Sequence, residues 1–228
     1  MLVCIPDVLD AAQLVSVRAH LDGANEAWVD GRVTAGYQGA PVKFNQQIDE
    51  HSDVARACQR IVVGALETNP LFISSVLPNA IYPPMFNRYG VGMKFGPHVD
   101  GSVRIHPHSG AKLRTDVSAT LFLTDPGDYD GGELEIEDTF GRHRVKLEAG
   151  AMVVYPATSL HQVTPVTRGV RTACFFWTQS LVRDAAQREV LYQMDGAIQR
   201  LNQTHADEPA RRALIGCYHN MVRIWSET

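Results

Sequence analysis

The sequence predicts an α+β protein: an antiparallel sandwich or barrel flanked by N-terminal helices and a C-terminal helical hairpin. Three observations support this. Short apolar-rich runs broken by turn residues fill the stretch from about Ala80 to Ser180. Apolar residues recur at helical spacing on both sides of it, and capping residues stand where those helical patterns begin. At 228 residues the chain can bury one principal core without disulfide staples.

Asp10 is placed to cap a helix in which Leu14, Val17 and Leu21 share a face and Gly23 ends the pattern. Ser52 does the same for Val54, Cys58, Ile61, Ala65 and Leu66. Between them, GRVTAGYQGAPVKFNQQI has the Gly, aromatic and β-branched content of one or two strands. Residues 1–79 are therefore expected to support a core formed by residues 80–180.

Within that core the expected strands are AIYPPMFNRY, KFGPHVD, SATLFLTD, GELEIED, HRVKLEAG, AMVVYPA, LHQVTPV and VRTACFFWTQ. Reversals are marked by DPGDYDGGE, Thr139-Phe140-Gly141, Glu148-Ala149-Gly150 and Thr167-Arg168-Gly169. Residues 181–228 return to helical spacing, with Val190, Met194, Ala197 and Leu201 on one stripe and Leu214, Cys217, Met221 and Trp225 on another. Asp184 and Asp207 are placed as their N-caps, with Pro209 near the second start. Such stripes must be covered, by the outside of the barrel or by a second subunit in a homo-oligomer.

Composition excludes several classes. A hydrophobic fraction of 45% and a charged fraction of 20% describe a globular chain, not a disordered or fibrous one. A net charge of −4 supplies no general attraction to phosphate backbones, so no nucleic-acid partner is expected. Cys4, Cys58, Cys174 and Cys217 form no Cys-x-x-Cys pair, which argues for a reducing compartment. MLVCIPDVLD has no basic n-region, and no apolar run approaches the roughly 18 residues that span a bilayer. A cytoplasmic protein without membrane association is the expectation.

The chemistry centres on Pro97-His98-Val99-Asp100. On a strand, side chains two apart share a face, so His98 and Asp100 can reach one metal while Val99 points away. His161 can add a third ligand from a strand that folds back over the first. Two neutral imidazoles and one carboxylate are the donor set of non-haem Fe(II) centres, which keep open positions opposite the three ligands. One carboxylate leaves such a centre positive, and a dianionic keto acid suits it, provided a separate cation holds the remote carboxylate. Arg171 can be that cation, in a site lined by Ala173, Phe175 and Trp177 if these share its face.

The runs RYGVGMKFGPHVDGS, RTDVSATLFLTDPGDYDGGELEIEDTFG and VVYPATSLHQVTPVTRGVRTACFFWTQS resemble the bacterial PKHD-type hydroxylases, relatives of the prolyl 4-hydroxylase branch of Fe(II)/2-oxoglutarate dioxygenases. The resemblance spans roughly the whole chain and is strongest over residues 80–180. It implies a double-stranded β-helix (jelly-roll) core, Fe(2+), 2-oxoglutarate, O₂ and L-ascorbate. The implied activity is hydroxylation of a small-molecule or peptide substrate, with oxidative decarboxylation of 2-oxoglutarate to succinate and CO₂. His98, Asp100 and His161 fall on the iron ligands, Arg171 on the co-substrate arginine, and Tyr89 on a tyrosine whose hydroxyl can bond to the co-substrate. No catalytic residue beyond the metal ligands is implied. Some relatives carry a second tyrosine where this chain reads SATLFLTD, which leaves Thr120 or a water for the remote carboxylate. The competing reading is a cupin-like protein that binds or senses iron and a keto acid without turning over a substrate.

Other features have plainer explanations. His106 and His108 lie in a Pro- and Gly-containing loop with no third ligand near in sequence, and with Arg104 they could face the substrate. Glu133 and Glu135 alternate with Leu134 and Ile136 as the polar face of a half-buried strand, and His143 belongs on an exposed strand end. DYDGGELEIED lacks calcium-loop spacing. Gly90, Gly92 and Gly96 do not form a nucleotide loop and are expected to shape the rim of the iron pocket.

Overall fold

The structure, a computed structural model, describes residues 1–37, 39–107, 109–204 and 208–227. Two antiparallel sheets face each other as a jelly roll. The larger runs, in spatial order, through Val3–Ile5, Met152–Pro156, Val117–Phe122, Arg171–Ser180, Met85–Tyr89, Gln46–Ile48 and Trp28–Asp30, with Pro78–Ile81 also paired to Arg171–Ser180. The smaller runs through Gly141–Val145, Leu134–Asp138, Leu160–Val163, Lys94–His98 and Lys43–Phe44.

Period-two alternation sorts the larger sheet into two faces. Leu121, Met152, Val154, Cys174 and Phe176 point outward into a core shared with three helices, α1 (Ala11–Asp22), α2 (Asp53–Thr68) and α3 (Pro70–Val76). The opposite face presents Tyr89, Phe122, Val153 and Tyr155 to Leu134, Ile136 and Val163 of the smaller sheet. Asp10 caps α1 through a capping box with Gln13, and Ser52 caps α2, as their side chains predict. The turn glycines Gly131, Gly132, Gly141, Gly150 and Gly169 adopt positive φ, the conformation that lets the chain reverse at the expected places.

The segment 31–48 contains two strands, as its composition predicts, both short. Gly31–Thr34 and Ala40–Val42 are 3₁₀ turns, and only Lys43–Phe44 and Gln46–Ile48 pair as strands, one in each sheet. This crossing brings the Lys43 side chain into the interior. Glu135, on the outer face of the smaller sheet, is buried rather than solvated, under Arg142, Arg144 and Gln162.

The C-terminal hairpin consists of α4 (Ala185–Gln203), capped by Asp184, and α5 (Glu208–Trp225); the cap expected at Asp207 lies outside the described residues. The inward stripe of α4 is one position off the expected one: Arg188, Leu191 and Ile198 are buried, whereas Val190 is half exposed. Leu191 packs with Leu77 and Val182, and Tyr218, Met221, Val222 and Trp225 of α5 cover them, while Leu214 and Cys217 face outward. Ser74 donates to Asp195 at 2.7 Å and Arg114 pairs with Glu227 at 3.0 Å, tying both helices to the body. No helix among the described residues is long and apolar enough to cross a membrane.

Candidate active site

A cavity of about 370 Å³ opens between the two sheets. His98, Asp100 and His161 line it, and their donor atoms lie within 4.8 Å of one another. Among the described residues no other group of three or more His, Cys, Asp and Glu side chains comes together in this way. His161 lies directly opposite His98 on the neighbouring, hydrogen-bonded strand, rather than folding over it from a facing layer. The two rings are 4.2 Å apart at their centroids.

Backbone carbonyls orient both imidazoles. His98 Nδ1 lies 2.8 Å from the Gly96 oxygen, and His161 Nδ1 lies 3.0 Å from the Ser159 oxygen. Each Nδ1–H donates to its carbonyl, which leaves the Nε2 lone pair free. Both Nε2 atoms point to Asp100, at 3.9 Å from Oδ1 and 3.7 Å from Oδ2. The Ser118 hydroxyl donates to Asp100 Oδ2 at 2.6 Å and fixes the carboxylate. Burial pushes the His98 pKa down to about 4, with the neighbouring His161 adding to it, so His98 is a neutral imidazole at physiological pH. Two imidazole nitrogens and one carboxylate converging on one point fit a divalent first-row cation such as Fe(II).

Deeper in the cavity, Arg171 is 1% exposed, and its Nε is a buried donor without a protein partner. Its guanidinium stacks over the Tyr89 and Phe122 rings, each centroid 5.3 Å away. Burial raises the Tyr89 and Tyr129 hydroxyl pKa values while the guanidinium opposes it. Gly132, at φ 64°, makes room here: a Cβ on it would lie 3.1 Å from both Arg171 Cδ and Tyr129 Cε2. A buried cation with an unused donor in an aromatic cage is suited to a carboxylate.

Thr120, Phe175 and Trp177 line the cavity as expected; Ala173 is fully buried beside it. Arg104 also lines it, whereas His106 is not among the lining residues and begins a reversal beyond Val103–Ile105; His108 lies outside the described residues. The expectation for Gly90, Gly92 and Gly96 is corrected: the glycines at the cavity are Gly36, Gly39 and Gly101, and Gly96 contributes its carbonyl to His98 instead. Sequence reasoning missed Lys43, Ser118, Tyr129 and Tyr155. Ser118 and Tyr155 were within reach of period-two reading, since they lie opposite each other on paired strands and share the inward face. Tyr129 is the lone aromatic in a polar turn, and nothing local marks Lys43 as interior.

A model of the 2OG-Fe(II) oxygenase superfamily matches residues 84–179, and one of the PKHD-type hydroxylase C-terminal domain matches residues 185–227. A PKHD-type hydroxylase of Cupriavidus metallidurans is 71% identical over 228 residues, covering 100% of both chains. One of Paraburkholderia phytofirmans is 67% identical with the same coverage. This chain belongs to the PKHD-type hydroxylases. It is a 2-oxoglutarate-dependent hydroxylase, and its family implies Fe(2+) and 2-oxoglutarate. Solved structures show the shared fold. A Pseudomonas putida prolyl-4-hydroxylase gives a TM-score of 0.53 at 22% identity, over 78% of this chain and 92% of that one. A prolyl hydroxylase from Trichoplax adhaerens, solved with a hypoxia inducible factor peptide fragment, gives 0.60 at 12% identity, over 78% and 83%.

Proposed function

We propose that this hydroxylase binds Fe(2+) through His98, Asp100 and His161 and 2-oxoglutarate through Arg171, and that it converts 2-oxoglutarate to succinate and CO₂ as it hydroxylates its substrate. The observation that carries this reading is one cavity holding both a convergent His-Asp-His donor set and a buried arginine with an unused donor. The iron, when bound, supplies the oxygen activation. The chain's own residues do the rest. Gly96 and Ser159 hold the imidazoles in the metal-binding tautomer, and Ser118 holds the Asp100 carboxylate. Arg171, flanked by Tyr89, receives the remote carboxylate of 2-oxoglutarate, while Phe95, Phe175 and Trp177 keep the reacting region apolar. Thr120, with its side chain on the inward face, is a further polar contact for the co-substrate.

On this reading residues 1–79 brace the catalytic core of residues 80–180, and residues 181–228 form an extension that closes one end and offers a surface for a second copy. L-ascorbate is proposed as the reductant that keeps the iron ferrous. The cytoplasm is the proposed location, supported by free cysteines at positions 4, 58, 174 and 217.

Anaerobic addition of Fe(II) and 2-oxoglutarate tests the site. Chelation should produce a weak visible charge-transfer band, absent in His98→Ala, Asp100→Ala and His161→Ala variants that remain folded. No band with both components saturating would overturn the assignment. A band without succinate formation in air would favour the binding or sensing protein instead.

A further inference from the structure

Asp100 is the one carboxylate among the described lining residues, against three cations: Lys43, Arg104 and Arg171. On the reading above, the ion, dianionic 2-oxoglutarate, Asp100 and Arg171 balance one another. Lys43 and Arg104 are left over. Lys43 is buried and Arg104 half-buried, and an excess of cations against aromatic walls is unfavourable unless water or an anion joins them.

The surroundings of both side chains support this. Arg104 Nε is a buried donor without a partner, Nη2 reaches the Met85 sulfur at 3.8 Å, and the guanidinium's other contact is the neutral Tyr82 hydroxyl. The guanidinium lies over the Trp177 and Tyr82 rings, 4.2 and 5.2 Å from their centroids. Glu50 accepts from the Tyr82 hydroxyl at 3.4 Å, and among the described residues no ion pair joins it or any other acid to Arg104. Lys43 Nζ lies 5.2 and 5.7 Å from the Phe95 and Phe175 centroids and donates only to neutral oxygens, on Gln47 at 2.7 Å and Thr34 at 3.2 Å. Burial, then the proximity of Arg104, pushes the Lys43 pKa down to about 7. Asp100 and Asp30 oppose this shift, but Lys43 hydrogen-bonds to Gln47 and Thr34 and pairs directly with no carboxylate among the described residues. Phe175 stands edge-to-face against Trp177, so aromatic rings connect the two cations.

We propose, resting on that reading of the iron and 2-oxoglutarate sites, that Arg104 and Lys43 form a second anion-binding locus, which holds a carboxylate of the substrate. The hydroxylated molecule is therefore a carboxylic acid whose apolar part lies along Phe175 and Trp177. Two cations set among Phe175 and Trp177 suit a carboxylate carried on an apolar body better than a compact phosphate. The planar fork of Arg104 matches carboxylate geometry.

The test uses the full chain with Mn(II) in place of iron and saturating 2-oxoglutarate. Phenylacetate and its uncharged analogue phenylacetamide serve as probes, and paramagnetic relaxation of their protons reports binding near the metal. Phenylacetate should be relaxed at least tenfold more strongly than phenylacetamide. Arg104→Gln should remove that difference, Arg104→Lys should restore part of it, and Lys43→Gln should reduce it. The 2-oxoglutarate dissociation constant, measured in the same samples, should stay within about twofold in all three variants. Equal relaxation of acid and amide in the parent protein, or a preference that survives Arg104→Gln, overturns the proposal. Failure of Mn(II) and 2-oxoglutarate to bind at all instead overturns the underlying assignment, so the two failures are distinguishable.

Discussion

Replacing Arg171 with methionine separates two effects that alanine would confound. Methionine roughly preserves the volume of the stem against Tyr89 and Phe122 but removes the charge. In the absence of ligand the guanidinium is a buried cation with an orphaned Nε, so its removal should leave the apo protein as stable as the parent or more so. Affinity for 2-oxoglutarate moves the other way. A charge-assisted bond contributes about 1.5–3 kcal/mol, or roughly ten- to a hundredfold in affinity. At a co-substrate concentration of a hundred times the parent dissociation constant, binding stabilises the parent by about 2.7 kcal/mol. The variant should retain about 0.4 to 1.4 kcal/mol at that concentration. In a chain of this length about 1 kcal/mol moves the melting temperature by roughly 2–4 °C. The parent shift of about 5–11 °C should thus fall to about 1–6 °C. Differential scanning fluorimetry with Mn(II), with and without 2-oxoglutarate, reads both effects. A destabilised apo variant whose ligand-induced shift is unchanged would show that Arg171 is a structural residue.

Two further substitutions probe the frame around the site. Gly132→Ala forces a side chain into positive φ, at about 1–2 kcal/mol, and places its Cβ 2.9 Å from Val166 Cγ2 as well as against Arg171. It should lower the melting temperature and weaken 2-oxoglutarate binding together; calorimetry showing unchanged affinity would separate Gly132 from the pocket. A chain ending at Arg183 keeps every proposed ligand but strips the cover from Leu77 and Val182 and removes the Arg114–Glu227 and Ser74–Asp195 contacts. Size-exclusion chromatography should show aggregation or an altered subunit count, and a soluble truncated protein with the parent's elution and melting temperature would make the hairpin dispensable.

The helices α1, α2 and α4 and most strands of the core were legible because they rest on local signals, the caps at Asp10, Ser52 and Asp184 and turn-bounded apolar runs such as SATLFLTD. His-x-Asp spacing singled out His98 and Asp100, the choice of His161 and Arg171 leaned also on the resemblance, and the short helix α3 went unread. What was not legible depends on distant partners. Nothing in LHQV says that its neighbour is Lys94–His98, some sixty residues earlier, so the direct pairing of His161 with His98 is visible only in the sheet. Lys43 looks like a surface lysine until the strand containing it joins Lys94–His98 and its amine meets Thr34 and Gln47. The α4 stripe was misplaced because Val190 and Leu191 are adjacent and equally apolar; packing against Leu77 and Val182 selects Leu191.

The pairing of His98 with His161 also bears on how the chain finds its alignment. A slip of one residue between these strands would turn His161 to the opposite face and set Leu160 or Gln162 across from His98. Hydrogen bonds between backbones are nearly indifferent to such a slip, whereas a three-donor metal site tolerates none. On the proposed assignment, an ion held by His98, Asp100 and His161 would therefore proofread the ladder: its binding energy would be released only to chains whose sheet has closed in register, and misaligned chains would stay open to unfolding and another attempt.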